Sequence, residues 1–182
     1  ARKEEDVINF VNQIENEIGE IKVAVYNIGA NIKFGITETT SQKYYKVWEM
    51  AAFGAFLMGR EVAKKMIPRK EGTIIFTGAT ASVRGGDGFA AFAGAKHAKR
   101  ALAQSMAREL GPKGIHVAHI IIDGAIDTPW VNKFFPEYVK EKKKVEGLMN
   151  PDNIAENYLM LHKQSKNAWT QELDLRPWVE KW

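Results

Sequence analysis

The sequence contains no cysteine among its 182 residues, which excludes disulfide bonds and cysteine-ligated metal centres. It also lacks any apolar run of 18 or more residues, the length that a transmembrane helix requires, and it shows no signal-peptide pattern at its start. A reducing compartment is compatible with this composition. We therefore expect a cytoplasmic protein with no membrane partner and no metal.

Strong charge of either sign is absent as well. Lys and Arg number 26 and Asp and Glu 22, so that the formal net charge is +4. A nucleic-acid-binding protein is expected to cluster its basic residues on one face, whereas here they are scattered. The one basic run, at residues 140–144, is typical of a solvated helix face. We expect no nucleic-acid partner, and the 45% hydrophobic content suits a single domain with its own core.

One stretch, residues 72–110, organises the rest of the chain. Its start, at residues 73–77, is a β-branched run without polar alternation, which is typical of a strand that is buried on both faces in a parallel sheet. A glycine-rich loop and then a helix over residues 89–110 follow, and the helix is ended by Gly-Pro. Because residues four apart share a helix face, Phe92 and Lys96 should point at the same place.

The flanking segments carry similar signals. A helix is predicted from residue 41 to about 66, ended by Pro68. Further helices are predicted over residues 4–18 and 150–163, and further strands over residues 21–26, 115–122 and 169–175. Buried strands alternating with helices indicate an α/β fold with a parallel sheet.

The sequence resembles the short-chain dehydrogenase/reductase family over almost its whole length. In that family the helix carries Tyr-x-x-x-Lys, a serine follows the preceding strand, and an asparagine lies on the previous helix. Lys96 matches the lysine, but the other three positions fall on Phe92, Ala79 and Ala51. Three of the four catalytic side chains have thus lost their polar groups. The resemblance implies a Rossmann-like, doubly wound parallel sheet, of which about four strands with flanking helices are present.

The resemblance also implies a cofactor, NAD or NADP, and a small-molecule substrate. Residues 26–29 stand where the family has Asn-Asn-Ala-Gly, although Asn and Gly there are also favoured in an ordinary strand-ending turn. Residues 123–128 resemble the Pro-Gly-x-Val/Ile-x-Thr loop over the nicotinamide, with Asp123 in place of the proline. By resemblance, the cofactor-binding positions are Asn27, Gly29, Thr77, Gly78, Lys96, Gly124, Ile126 and Thr128.

No G-x-G-x-x-G or related phosphate-binding loop occurs in the sequence. In the family, a dinucleotide-binding half of roughly 55 residues, by average element lengths, precedes the position that the first helix matches. We therefore expect residues 1–182 to be a single Rossmann-like domain that is incomplete at its N-terminus. The fourth strand of such a sheet lies beside the first, so the first strand of this chain should present an open apolar edge.

Residues 130–150 are polar and aromatic, and by resemblance they form a lid over the substrate. The alternative is a surface helical hairpin whose aromatic side chains dock on the core. The resemblance further implies a homodimer or homotetramer that packs through the helices at residues 41–66 and 89–110. Close helix–sheet packing within one subunit would explain the small residues of those helices equally well.

Two histidines, His116 and His119, lie three apart on a predicted strand and should face opposite sides of the sheet. That separation makes a shared metal site improbable. We expect both to be core or edge histidines with satisfied hydrogen bonds.

Two functions of different classes remain open. The first is an NAD(P)-dependent oxidoreductase, acting on a carbonyl or alcohol, with an atypical active site and a substitute proton donor, because phenylalanine cannot donate a proton. The second is a catalytically inactive nucleotide-binding or scaffold protein. A lyase or isomerase is a third possibility, since a fold does not fix its chemistry. The polar residues considered as substitute donors are Thr80, Ser82, Asp87, Tyr44, Tyr45 and Tyr138.

Overall fold

The structure is a computed structural model that describes residues 1–181, and its centre is a parallel sheet of four strands in the order β1-β2-β3-β4. Neighbouring strands are parallel throughout. The predicted α/β, Rossmann-like fold is confirmed. The strands are β1 (Val23–Tyr26), β2 (Thr73–Thr77), β3 (His116–Ile122) and β4 (Glu172–Leu175).

Helices cover both faces of this sheet. They are α1 (Glu4–Gln13), α2 (Ser41–Trp48), α3 (Gly54–Arg69), α4 (Ala90–Leu110), α5 (Pro129–Phe134), α6 (Pro136–Lys143) and α7 (Pro151–Lys163). Within residues 1–181, no helix combines the length and the apolar character that crossing a bilayer requires.

The predicted helix from residue 41 to about 66 is present without a break in the helical backbone, and a π-turn at Glu49–Phe53 lies between its α-helical parts α2 and α3. Inside this turn the Met50 carbonyl accepts a hydrogen bond from the Tyr26 hydroxyl (2.6 Å). The helix also continues past Pro68 to Arg69, so the predicted end at the proline was wrong.

The core lies on both sides of β2 and β3, whose residues are all buried. On one side, Ile74, Phe76 and Val117 pack with residues of α1, α3 and α4. On the other side, Ile75 and Ala118, with the rest of their cluster, pack against α7. Strands covered on both faces read as continuous apolar runs, which explains why the sequence predicts these two well.

The edge of the sheet at β1 is open among the described residues. Val23 and Val25 are 38% and 44% exposed, and an apolar groove of about 750 Å³ runs between β1, α1 and α3. This matches the expectation of an apolar edge at the first strand.

Candidate active site

A cleft of about 380 Å³ opens at the carboxyl ends of the central strands. Its walls come from the loop after β2, the start of α4 and the residues at the end of β3, with Asn31 at one side. Ligands of doubly wound sheets bind outside the carboxyl ends of the strands. The larger groove at the β1 edge is lined by none of the family's four catalytic positions, so the smaller cleft is the candidate site.

Lys96 extends from α4 to the carboxyl end of β2 and is 4% exposed. Its Nζ donates to the carbonyl oxygens of Thr77 (3.0 Å) and Gly78 (3.5 Å) and lies 5.5 Å from the centroid of the Phe92 ring. The predicted common direction of Phe92 and Lys96 is therefore confirmed. Gly29 lies close by, since a Cβ there would be 3.3 Å from the Lys96 Nζ. Burial lowers the pKa of Lys96 to about 8.

A second lysine, Lys99, lies beside Lys96 and was missed by the sequence analysis. It is fully buried; its Nζ donates to the Ile28 carbonyl (3.0 Å) and lies 5.3 Å from the centroid of the Tyr26 ring. Burial, and then the positive charge of Lys96, lower the pKa of Lys99 to about 6. Its spacing, three residues after Lys96 on the same helix face, is the signal that would have found it.

The three positions that have lost their polar groups come together in space. Ala51 is fully buried in the π-turn, Phe92 is 8% exposed, and both belong to one apolar cluster against which Ala79 packs. Ala79 and Phe92 also line the cleft. By resemblance the family has hydrogen-bonding groups at these three positions, and in this chain they belong to or pack against one apolar cluster.

The polar side chains that line the cleft are those of Thr80, Asn31 and Arg84. Thr80 lines the cleft, and its hydroxyl donates a short hydrogen bond to Oδ1 of Asp123. Asp123 is 2% exposed, and its carboxylate also lies 3.6 Å from the guanidinium of Arg84 and 3.4 Å from that of Arg176. Sequence reasoning noted Asp123 only as the replacement of a proline, and Thr80 only as one possible donor among several.

The remaining residues considered as substitute donors lie elsewhere in the described structure. Ser82 is fully buried, and its hydroxyl accepts from a backbone N–H. The side chain of Asp87 is 98% exposed. Tyr44 and Tyr45 line a separate surface depression on α2, and Tyr138 is exposed on α6. None of these five residues lines the cleft.

Among the cofactor positions that follow β1 and β2, the structure brings Gly29, Thr77 and Gly78 together around Lys96. The Thr77 hydroxyl is 2.7 Å from that of Tyr158, so its backbone carbonyl rather than its side chain faces Lys96. Gly78 is required sterically, because a Cβ there would lie 2.4 Å from a nitrogen of the His119 ring. Asn27 is exposed at the end of β1.

The positions that follow β3 form the rim. A Cβ at Gly124 would lie 2.6 Å from Pro177, so this glycine permits close chain packing. Ile126 pairs with Met149 in an isolated parallel bridge. The Thr128 hydroxyl accepts from the Val131 N–H (3.2 Å) and caps α5. The loop is thus fixed by local contacts, and its roles toward a cofactor remain predictions.

Both strand histidines are buried, as predicted, and each makes one hydrogen bond. The prediction that their hydrogen bonds are satisfied was wrong for the second ring nitrogen of each, because Nδ1 of His116 and Nε2 of His119 have no partner among the described residues. His116 bonds the Thr170 carbonyl (2.8 Å), and Nδ1 of His119 lies 3.0 Å from the Glu172 carboxylate. Burial lowers the pKa of His119 to about 4. Among residues 1–181, no group of three or more His, Cys, Asp or Glu side chains is placed to hold a metal ion.

The segment at residues 130–150 contains α5 and α6. Its aromatic side chains pack on one another: the Trp130 ring lies 5.2 Å from that of Phe134 and 5.6 Å from that of Phe135. All three are at least half exposed. The alternative in which they dock on the core is therefore wrong, and the role of this segment as a lid stays a prediction.

The family model described as short chain dehydrogenase matches residues 1–139 of the chain. Among curated proteins, the short chain aldehyde dehydrogenase 1 of Euphorbia lathyris is 31% identical over 152 residues, which cover 79% of this chain and 52% of that protein. The chain therefore spans about half the length of this relative.

Solved structures agree with the fold. The crystal structure of a short-chain dehydrogenase from Rhodopseudomonas palustris is 45% identical, with a TM-score of 0.80, and the match covers 97% of this chain and 71% of that one. A halohydrin dehalogenase bound to ethyl (2S)-oxiran-2-ylacetate is 25% identical, with a TM-score of 0.83 and coverage of 96% and 76%.

Proposed function

Because the chain belongs to the short-chain dehydrogenase/reductase family, we propose that it acts as an NAD(P)-dependent oxidoreductase. The reaction is hydride transfer between the cofactor and the carbonyl or alcohol carbon of a small-molecule substrate. The observation that carries this proposal is the position of Lys96, a buried amine at the carboxyl ends of the strands, held by the Thr77 and Gly78 carbonyl oxygens. Because the chain covers 52% of its curated relative, the activity of the whole protein is part of the proposal.

The residues around Lys96 fit the ribose and nicotinamide part of NAD or NADP. An ammonium group has three N–H donors. Two of those of Lys96 donate to the carbonyl oxygens of Thr77 and Gly78. The absence of a side chain at Gly29, close to the Lys96 Nζ, leaves room beside it. Asn27 and Gly29 at the end of β1, with Gly124, Ile126 and Thr128 at the rim, complete the proposed cofactor positions. When bound, the cofactor supplies the hydride chemistry.

The proposed site is atypical, because its apolar cluster replaces the family's serine, tyrosine and asparagine. Phe92 and Ala79 exclude water and shape the cleft, and neither can exchange a proton with a substrate oxygen. Proton transfer therefore requires another group, and Thr80 is the hydroxyl-bearing side chain that lines the cleft.

The second candidate function is a catalytically inactive nucleotide-binding or scaffold protein. The joint loss of polar groups at Ala51, Ala79 and Phe92, with an apolar cluster in their place, favours it. A lyase-type reaction is a further alternative, since a dehalogenase shares the fold.

Four further properties belong to the same proposal. Residues 1–182 act as one domain, within which residues 130–150 close over the substrate. The protein forms a homodimer or homotetramer, as the family resemblance implies. It works in the cytoplasm, with which the absence of cysteine is compatible.

The proposal is tested by titrating NADH and NADPH into the protein in a calorimeter. We expect saturable binding of at least one of the two, weakened about tenfold or more in Lys96→Met, because a charged hydrogen bond to the ligand is lost. Lys113→Met, which removes an exposed lysine just beyond the same helix, is the matched control and should bind as the unmodified protein does.

Turnover then separates the two candidate functions. A substrate-dependent change in NAD(P)H absorbance across a panel of alcohols and ketones supports the oxidoreductase. Cofactor binding without turnover favours the inactive alternative. Absence of binding for both cofactors, in these 182 residues and also in protein with any upstream coding sequence restored, contradicts the oxidoreductase.

A further inference from the structure

One cation lines the cleft that forms the candidate active site. Of the described side chains at its walls, that of Arg84 alone carries a charge, and the two other polar ones, Thr80 and Asn31, are neutral. The rest of the lining is small or apolar, and the rings of Phe89 and Phe92 are its largest apolar members. A few polar groups placed among apolar walls are what fixes the orientation of a ligand in a pocket.

The protein leaves the hydrogen-bond donors of Arg84 unused. A guanidinium carries five N–H donors, but within residues 1–181 the only acidic group near that of Arg84 is Asp123, whose Oδ1 lies 3.6 Å away, beyond hydrogen-bond distance. The Arg84 side chain is 42% exposed. An ion pair this open and this long contributes little to folding stability, so the stability of the fold does not account for this arginine.

The carboxylate of Asp123 does not cancel this positive charge for a ligand in the cleft. Asp123 is 2% exposed and lies behind the cleft wall. Its Oδ1 accepts the Thr80 hydroxyl, and its Oδ2 lies 3.4 Å from the guanidinium of Arg176, which also pairs with Asp174. The two arginines and the two aspartates balance in charge, but only Arg84 lines the cleft. A ligand therefore meets the positive end of this cluster first.

Space for a ligand group lies beside Arg84. Gly85 and Gly86 follow it in the chain and also line the cleft. Apart from its chain neighbours, no described atom lies within 4 Å of the position that a Cβ on Gly85 would take. This side of the guanidinium is therefore open to a group that enters the cleft. A carboxylate suits it, because a carboxylate and a guanidinium are both planar and pair through two parallel hydrogen bonds.

We propose that the cleft binds a small carboxylic acid, whose carboxylate pairs with Arg84 and whose apolar part packs against Phe89 and Phe92. The acid is thereby the substrate class of the site, a statement that rests on the proposed oxidoreductase function. The binding preference for the acid over a neutral compound of the same shape does not depend on that function.

The preference is measured without a cofactor, by titrating 3-phenylpropanoate and its neutral analogue 3-phenylpropanamide into the protein. The methyl groups of Ala79 and Ala81 line the cleft and report its occupancy by NMR when alanine is labelled with ¹³C. We expect the acid to bind about tenfold more tightly than the amide, because hydrogen bonds between two charged groups are the stronger ones. High salt should reduce this preference, because the Debye length falls from about 10 Å at 0.1 M to about 3 Å at 1 M.

Three variants assign the preference to its residue. Arg84→Met removes the charge and should abolish the preference, while the amide binds as before. Arg84→Lys keeps the charge but not the planar pair of donors, and should retain part of the preference. Arg108→Met is the matched control, because Arg108 is an exposed arginine of α4 that does not line the cleft, and it should retain the whole preference.

Equal or tighter binding of the amide, or no saturable binding of either compound, overturns the proposal. A preference that survives in Arg84→Met, or binding that leaves the Ala79 and Ala81 methyl resonances unmoved, overturns it too. The comparison of the two compounds in the unmodified protein decides the matter even where Arg84→Met does not fold. Failure of the oxidoreductase function shows separately, as absent NADH and NADPH binding by calorimetry, and leaves the preference for the acid intact.

Discussion

Phe92 differs from the family's tyrosine by one oxygen atom, and the structure places its ring 5.5 Å from the Lys96 Nζ. A phenol added there would enter the cleft beside a cation that favours its ionised form. We predict that Phe92→Tyr combined with Ala79→Ser raises NAD(P)-dependent turnover by about 10²-fold, the usual contribution of a positioned acid or base. The rate is followed by NAD(P)H absorbance.

The control for this gain is Phe89→Tyr. The Phe89 ring also lines the cleft, at 6.4 Å from the Phe92 ring, but it does not occupy the family's tyrosine position. The control should leave turnover unchanged. Equal gains in both variants would show that any phenol in the cleft suffices and would contradict the assigned role of position 92.

Lys99 is the least expected residue of the site, because a fully buried lysine is rare. Its pKa is lowered on folding from about 10.4 to about 6. Between these values the unfolded chain binds one more proton than the folded chain, so stability rises with pH by about 1.4 kcal/mol per unit. We predict that Lys99→Met removes much of this rise.

At pH 7 the same substitution should stabilise the fold by about 1–3 kcal/mol, because a buried polar group is replaced by an apolar one of similar shape. Urea unfolding at pH 7, 8 and 9 measures both effects. Lys113→Met, at an exposed lysine, should keep the rise of stability with pH that the unmodified protein shows. If stability rises with pH as steeply in Lys99→Met as in the unmodified protein, Lys99 keeps its proton in the folded protein.

At the scale of elements, Glu172 joins β4 to the rest of the sheet. It accepts two hydrogen bonds from Arg100 of α4 (2.7 and 2.6 Å) and lies 3.0 Å from His119 of β3. The Arg100 hydrogen bonds, foremost, hold the pKa of Glu172 below its usual range. This stabilisation is present at neutral pH and is lost as acid protonates the carboxylate.

We predict that Glu172→Gln destabilises the fold by about 1–3 kcal/mol at pH 7, because a charged bidentate contact that is partly shielded from water is broken. Chemical denaturation at constant pH measures this loss of folding stability. Glu109→Gln breaks an exposed pair with Lys113 and should change stability by less than about 0.5 kcal/mol. Equal losses in the two variants would contradict the special role of Glu172.

The elements that the sequence predicts best are those with the plainest local signals. β2 and β3 are continuous buried runs, and α4 ends at Gly-Pro as predicted. The π-turn between α2 and α3 has no local signal in the sequence, and the hydrogen bond from the Tyr26 hydroxyl to the Met50 carbonyl within it joins residues that are distant along the chain. β4 begins at Glu172 rather than 169, since the Thr170 N–H instead bonds the side chain of Gln164.

The site was predictable only within single elements. The helical spacing of Phe92 and Lys96 revealed their shared direction. Thr80 and Asp123 are 43 residues apart and meet because β2 and β3 are parallel neighbours whose carboxyl ends open at the same edge. No local sequence pattern predicts such a pair.

For the whole molecule, the outer surface of α2 and α3 carries a row of aromatic rings. Successive centroids in the series Tyr45, Trp48, Phe53 and Phe56 lie 5.9–6.2 Å apart, and Tyr45, Trp48 and Phe56 are 37–56% exposed. Contiguous exposed apolar surface of this kind marks interaction sites. The family resemblance implies contact between subunits on the helix at residues 41–66, which contains this row.

We predict that the protein elutes as a dimer or tetramer, and that Phe56→Glu lowers its mass in light scattering by at least one association step, because a charge would be buried without a partner. Trp130→Glu is the matched control: Trp130 is 60% exposed but lies on α5, away from the row, and the mass should not change. The same loss of mass in both variants would place the contact outside α2 and α3, and a monomeric unmodified protein would contradict the proposed oligomer.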